Sequence, residues 1–260
     1  MINIIRGGCT NKHPNSFKMS RPNGFNHHVL LIVKSDSEFW IEDNHIIASP
    51  SQAIIIKPDT SYSYHNPNGE YINDWLHFDV DDNTELERLF PLTNTLIPLS
   101  DMDVCSGILQ QIFWESSYTS KEYAKENIEA LFKVLLNHIS YNHANRDTIH
   151  LLSPFYSELC AIRLNMKNTI GDEHCIKKYA DMLHISESYF QHLYTEQFGI
   201  SFQKDLIHAR IEYAKTMLHS SDATINQIAA MCGYNNEVHF YRQFKEIACT
   251  TPAHYRKNLL

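Results

Sequence analysis

The stretch Ile176-Lys177-Lys178-Tyr179-Ala180-Asp181-Met182-Leu183-His184-Ile185-Ser186-Glu187-Ser188-Tyr189-Phe190 reads as two short helices around a tight turn. The stretch Ile225-Asn226-Gln227-Ile228-Ala229-Ala230-Met231-Cys232-Gly233-Tyr234-Asn235-Asn236-Glu237-Val238-His239-Phe240 repeats the pattern. In the first copy Ile176, Tyr179, Ala180 and Leu183 form an apolar stripe, His184-Ile185-Ser186 turns, and an amphipathic run from Glu187 to Phe198 ends at Gly199. In the second copy Ile225, Ile228, Ala229 and Met231 form the stripe, Cys232-Gly233-Tyr234 turns, and Asn236 to Ile247 is the second run. Each copy predicts a helix-turn-helix, the geometry that presents its second helix to the DNA major groove. Two such units on one chain suit reading a single DNA segment at two places, as a transcription regulator does.

The remainder of the chain sets the bounds. Its 260 residues favour two domains, each with a core of its own, and 43% hydrophobic with 20% charged residues is ordinary for a globular protein. No apolar run approaches the roughly 20 residues that cross a bilayer. The start, Met1-Ile2-Asn3-Ile4-Ile5-Arg6-Gly7-Gly8, lacks the regions of a secretion signal. A cytoplasmic protein without a membrane partner is expected. The six cysteines (Cys9, Cys105, Cys160, Cys175, Cys232, Cys249) show no ligand-like spacing, so reduced thiols are expected rather than disulfides or zinc.

Charge is uneven. Residues 1–160 carry 11 Lys+Arg against 20 Asp+Glu, whereas residues 161–260 carry 11 against 10. A carboxy-terminal half this close to neutral predicts modest nonspecific DNA affinity. That favours a homodimer, because coupling two weak binding events raises the combined affinity.

Before Val80 the chain reads as strands: Val29–Val33, Glu38–Glu42, Ala53–Ile56 and Asp74–Val80, punctuated by turn residues, which suggests a small sandwich or barrel. After Ser100 the period becomes helical. Val104, Ile108 and Ile112, then Ile128, Leu131, Leu135 and Ile139, fall on two helices of about 17–20 residues. The second stripe fits either a copy of itself or the sandwich. Tyr141–Ser153 is polar and carries the linker signal, and Ser153-Pro154 looks like a helix start. A long helix from Ser201 to Leu218 joins the repeats, and Thr224-x-x-Gln227 reads as a capping box. The expected architecture is α+β: a β-sandwich over residues 1–100, a helical hairpin suited to dimerisation over 101–143, a linker over 144–153, and an all-α domain with two helix-turn-helix units over 154–260.

The carboxy-terminal residues resemble the AraC/XylS family of transcription regulators. The matching residues run from Tyr179-Ala180 through Ile185-Ser186-x-Ser188-Tyr189-Phe190, Phe198-Gly199-Ile200-Ser201-Phe202 and Ala209-Arg210-Ile211-x-x-Ala214-Lys215-x-Met217-Leu218. They continue through Ile225-x-x-Ile228-Ala229 and Gly233-Tyr234 to Phe240-x-Arg242-x-Phe244-Lys245 and Pro252-x-x-Tyr255-Arg256. Three positions depart from the family. His192 stands where many members carry arginine, Thr195-Glu196 replaces frequent Lys or Arg, and Cys249 replaces a glycine on which the tightness of a turn depends. The front part resembles the family's cupin-type sensing domain through Arg21-Pro22-x-Gly24, a turn at Pro58 and Trp75-Leu76-His77-Phe78. The resemblance implies a ligand site at Arg21, Tyr64 and Trp75, a mobile arm before Arg21, and a small-molecule effector with sugars among the candidates. It also favours an activator, with repression as the open alternative, and RNA polymerase is a further candidate partner.

The DNA-binding candidates on the second recognition helix are Asn236, Glu237, His239, Arg242 and Lys245. Arg242 suits a guanine edge and Lys245 a phosphate; the alternative for Arg242 is an ordinary surface ion pair. On the first recognition helix they are Ser188, Gln191 and His192, with Gln191 suited to adenine and plain solvent exposure as the alternative. Phe190, Leu193, Phe198, Phe240 and Phe244 read as core. The recognition helices are expected to enter successive major grooves, about 34–36 Å apart. No catalytic residues, cofactor or metal are expected, because His27, His28, His45, His65 and His77 lack ligand spacing. The rival readings are a cupin-type carbohydrate-modifying enzyme with an appended helical domain, and a regulator acting mainly through protein contacts.

Overall fold

The computed structural model describes residues 2–81, 83–149 and 155–257. The chain separates into two compact units, Met1–Leu152 and Ser153–Leu260. The first unit runs β1 (Ile2–His13), β2 (Met19–Arg21), β3 (His28–Val33), β4 (Ser37–Ile41), β5 (Asn44–Ala48), β6 (Gln52–Ile56), β7 (Tyr62–His65) and β8 (Tyr71–Val80). Then come α1 (Asn83–Leu89), β9 (Ile97–Pro98), α2 (Met102–Tyr118), α3 (Lys121–Ala144) and α4 (Arg146–Ile149). Two antiparallel sheets form, in the orders β1-β8-β3-β6-β9 and β2-β7-β4-β5.

The larger sheet is covered on both faces, which explains the unbroken apolar run of β3, all six of whose residues are buried. Leu30, Ile32, Leu76 and Phe78 face α2 and α3, while Val29, Leu31, Val33 and Tyr71 face the smaller sheet. Strand alternation therefore sends Tyr71, Trp75 and their odd-numbered neighbours on β8 towards the sandwich interior. Asp74, pointing the other way and fully buried, ties the sheet to α2. Its carboxylate accepts from Ser106 Oγ at 2.6 Å and pairs with Lys34 Nζ at 2.8 Å.

One open alternative closes here and two expectations change. The stripe Ile128, Leu131, Leu135 and Ile139 packs on the sandwich, with Leu135 and Ile139 at 0% exposure, so it is not free to pair with a copy of itself. The arm before Arg21 contributes β1, paired with β8 from Ile2↔Val80 to His13↔Tyr71. The polar run after Tyr141 is helical as far as Ile149. Asn142 is buried there because its amide oxygen accepts from Ser100 N and Oγ and its Nδ2 donates to Asp101. The predicted helix start at Ser153-Pro154 lies outside the described residues.

The second unit contains α5 (Tyr156–Asn168), α6 (Ile176–Met182), α7 (Glu187–Phe198), α8 (Phe202–Ser220), α9 (Ile225–Met231), α10 (Glu237–Ala248) and α11 (Pro252–Lys257). It has two cores. Phe190, Leu193 and Tyr194 of α7 pack with Phe202 and Leu206; Phe240 and Phe244 of α10 pack with Ile211, Ala214 and Leu218. One helix, α8, serves both cores, its first turns in one and its last in the other. At 19 residues it is about 28 Å long. The fold is thus α+β, with a β-sandwich and helical hairpin followed by an all-α unit carrying two helix-turn-helix motifs.

Candidate nucleic-acid interface and ligand cavity

Local chemistry sets the start and stop of each recognition helix. Ser186 Oγ accepts from Tyr189 N at 3.2 Å to cap α7, and Asn236 Oδ1 accepts from Val238 N at 2.8 Å and His239 N at 3.3 Å to cap α10. Thr224 and Gln227 close the predicted capping box on α9. The turns need left-handed residues, supplied by His184 (φ 55°) in the first copy and Gly233 (φ 75°) in the second. A β-carbon on Gly233 would stand 2.7 Å from Arg210 Nη2, which packs over Tyr234. At the far ends Gly199 (φ 68°) and Cys249 (φ 55°) both turn left-handed, so Cys249 keeps the turn that glycine makes in the first copy.

A buried polar cluster holds α7 to its neighbours. Asp205 Oδ2 accepts from Arg163 Nε at 2.7 Å and from the Tyr194 hydroxyl at 2.8 Å. Burial alone would push the Asp205 carboxyl up, but those two hydrogen bonds and the guanidinium charge hold it below the ordinary range. Burial and the carboxylate together push the Tyr194 phenol well above its own range. Phe198, expected in the core, is only half-buried and carries Arg163 over its ring at 4.4 Å.

The outward faces differ. On α7 the exposed residues Ser188, Gln191 and His192 share the surface with Glu187 and Glu196, and His192 Nε2 lies 3.7 Å from Glu196. On α10, Glu237, Val238, His239, Arg242 and Lys245 are exposed, and Asn236, Val238, His239 and Arg242 line a shallow concavity of about 330 Å³. Among the described residues no carboxylate lies within ion-pair distance of Arg242, which removes the surface ion pair as its explanation. The Asn236 oxygen is engaged in capping, leaving its Nδ2 to face outward chemistry. His239 is steadied by Gln243, whose Oε1 accepts from the Tyr234 hydroxyl at 2.7 Å. Val238, which the helical spacing sets on this outward face but which was not among the DNA-contact candidates, is 77% exposed. An apolar residue on an otherwise polar face was the signal, and a thymine methyl is its natural contact.

In the first unit Arg21, Tyr64 and Trp75 come from three different strands and line one cavity of about 190 Å³. Arg6, Asn73 and His77 line it too and were missed, because β1 is not legible as a strand and Asn73 hides in a polar stretch. The turn that presents Arg21 depends on Gly24 (φ 66°), where a β-carbon would collide with the Thr60 carbonyl oxygen. Trp75 Nε1 donates to Asn11 Oδ1 at 3.1 Å, so the indole offers its face to the cavity. Burial and the charges of Arg6, His27 and Arg21 push the His77 imidazole down to about 4.

The other histidines have partners of their own. His27 Nε2 is 2.7 Å from His77 Nδ1, His28 stacks on Phe78 on the opposite face of the sheet, His45 pairs with Glu38, and His65 stacks on Trp40. Asp101, Cys105 and His138 converge closely enough to hold a metal ion. Their contacts are mutual: Asp101 accepts from His138, Cys105 and Asn142, a network that fastens the start of α2 to α3.

Paired helix-turn-helix units with capped, outward-facing second helices define the class of double helix-turn-helix DNA-binding proteins. A family model described as a helix-turn-helix domain matches residues 179–258. The carboxy-terminal region is a helix-turn-helix domain of the AraC type. An HTH-type transcriptional regulator of Escherichia coli, YijO, is 33% identical over 78 residues, 30% of this chain and 28% of that protein. The xylose operon regulatory protein of E. coli is 35% identical over 82 residues, 31% of this chain and 21% of that protein. The transcriptional activator RhaR of Yersinia pseudotuberculosis is 26% identical over 153 residues, 59% of this chain and 52% of that protein. The chain thus spans about half or less of the length of these relatives. The solved carboxy-terminal domain of AraT, a response regulator from Geobacillus stearothermophilus, is also similar: 27% identity, TM-score 0.38, 41% of this chain and 87% of that one. Among the described residues no helix is long and apolar enough to cross a membrane.

Proposed function

We propose that this chain is a sequence-specific DNA-binding transcription regulator whose amino-terminal unit senses a small molecule. The observation that carries the reading is the Arg242 fork, which has no carboxylate partner among the described residues, on a capped helix whose backbone plan α7 repeats beside the same α8. Arg242 reads a base edge, Lys245 takes a phosphate, His239 and Val238 flank them, and Glu237 and the Asn236 amide set the register. Ser188, Gln191 and His192 contact the neighbouring groove more weakly. The effector occupies the cavity of Arg21, Tyr64 and Trp75 and regulates by favouring one of two domain arrangements.

Two of the relatives carry the names activator and operon regulator, which supports activation of transcription with RNA polymerase as a partner. Contact with a DNA duplex supports a cytoplasmic location. A homodimer forms through the outward faces of the hairpin, where Trp114, Tyr118, Tyr123, Val134 and Tyr141 are exposed, rather than through the stripe that the sandwich covers. The test is selection of bound duplexes from a random pool, with and without candidate effectors. Enrichment of one motif supports the reading; a pool that stays random under every condition overturns it.

A further inference from the structure

The cavity of the first unit carries a charge pattern that a neutral ligand would leave unused. Arg6 and Arg21 line it together with His13 and His77, and among the described residues no aspartate or glutamate does. Neither guanidinium has a carboxylate within ion-pair distance among the described residues. Both lie over the Phe25 ring instead, at 5.6 and 5.1 Å from its centre. Among the described residues the two guanidiniums make one hydrogen bond, from Arg21 Nη1 to the Ser20 carbonyl at 2.9 Å. A guanidinium offers five N–H donors in a fixed fork that matches a carboxylate, so most of two forks is unspent.

The field of these two groups reaches their neighbours. Burial is the larger cause of the lowered His77, and the field adds to it; on the Tyr62 phenol the field works against the upward push of burial. Deeper along β8, Asn73 is 1% exposed and lines the same cavity, and among the described residues its Oδ1 has no hydrogen-bond partner. An unpaired buried acceptor calls for a donor from the occupant, since leaving it bare is costly. Register sets the two chemistries at different levels of the cavity: Arg6 faces His77, and Asn73 faces Asn11, further along the same pair of strands.

We infer that the occupant is a small hydroxylated anion of the sugar-acid class, its carboxylate held by Arg6 and Arg21 and a hydroxyl donating to Asn73. This rests on the cavity being the effector site and narrows the effector from sugars in general to their acids. A neutral aldose would leave both forks without an anion. Trp75 supplies the apolar ring face in either case.

The test is isothermal titration of the whole chain with matched pairs of probes: D-galacturonate against D-galactose, D-gluconate against D-glucose, and D-xylonate against D-xylose. At least one acid is expected to bind ten-fold or more tightly than its neutral partner. Arg6→Gln and Arg21→Gln should each reduce that preference to within about three-fold, while Asn73→Ala weakens the acid without restoring the neutral sugar. Thermal unfolding of the unliganded variants shows that each is folded, and Arg6→Lys, which keeps the charge and loses the fork, should fall between. If a neutral sugar binds as well as or better than its acid, the anion inference fails and the effector site stands. If acid binding survives both arginine substitutions, the inference likewise fails. If no probe of either kind binds, the inference and the effector site fail together.

Discussion

The two helix-turn-helix units share a backbone plan and present opposite chemistries on it. Both begin their recognition helix with a polar cap, both carry an acidic residue in its first turn, and both end it in a left-handed residue. The surfaces diverge one turn later. Where α10 shows Arg242 and Lys245, α7 shows His192 and Thr195; both carry a glutamate at the next position, Glu246 and Glu196, and Glu196 lies 3.7 Å from His192. Glycine also changes sides: the first copy spends it at the helix end and the second at the turn. A duplicated unit can therefore keep its fold while one copy presents an arginine fork and the other an imidazole at the matching position. Core and caps fix the geometry; the exposed face is left free to change.

The Asp205 cluster is the sharpest structural asymmetry, because it braces α7 alone. Asp205→Ala leaves the Arg163 charge and the Tyr194 hydroxyl without their acceptor and should cost about 3 kcal/mol of stability, read by urea unfolding. The folded carboxyl lies below its unfolded value, so its contribution is present above about pH 3.9 and is lost as pH falls through the folded value. Asp205→Asn should flatten that part of the pH profile. An unchanged acid limb would remove the cluster from the account.

On the DNA side, Arg242→Ala should cost about 1–3 kcal/mol of specific binding and relax preference at one base position. His192→Ala should cost less than about 0.5 kcal/mol, in line with surface substitutions away from a specific contact. His192→Arg sharpens the comparison: it gives α7 the missing fork and should strengthen binding. Equal losses from the two alanine variants would break the asymmetry.

The glycines give smaller effects on stability. Gly233→Ala should cost about 2 kcal/mol, since a left-handed alanine must also displace Arg210, whereas Gly199→Ala, with open space around it, should cost about 1 kcal/mol. Cys249→Gly relieves the same strain at a small entropic cost and should stabilise by roughly 0.5 kcal/mol. Thermal unfolding of the three variants checks the order.

The carboxy-terminal unit was legible because its signals are local. The stripes of Ile176–Leu183 and Ile225–Met231, the Thr224–Gln227 box and the aromatic spacing of α7 and α10 each need only one helix to be understood. The front unit was legible where strands are covered on both faces, as β3 and β6 are. It was illegible at β1 and β5, which are largely exposed and carry no apolar run. Arg21, Tyr64 and Trp75 were found through resemblance. Arg6, Asn73 and His77 join them only through strand pairing across long stretches of chain, and no local pattern reports that. The stripe on α3 was visible and fitted two partners, and periodicity alone does not choose between the sandwich and a second copy. Asn142 misled because its polarity serves a buried network and not solvent.

Hydroxyl-radical footprinting on a selected duplex tests the central claim most directly, run for the wild type, His192→Ala and Arg242→Ala at one salt concentration. The account predicts two protected segments per bound subunit, about one helical turn apart. The segment under α10 should fade in Arg242→Ala, and the whole pattern should be nearly unchanged in His192→Ala. A single protected segment, or a footprint that responds to His192 and ignores Arg242, would contradict it.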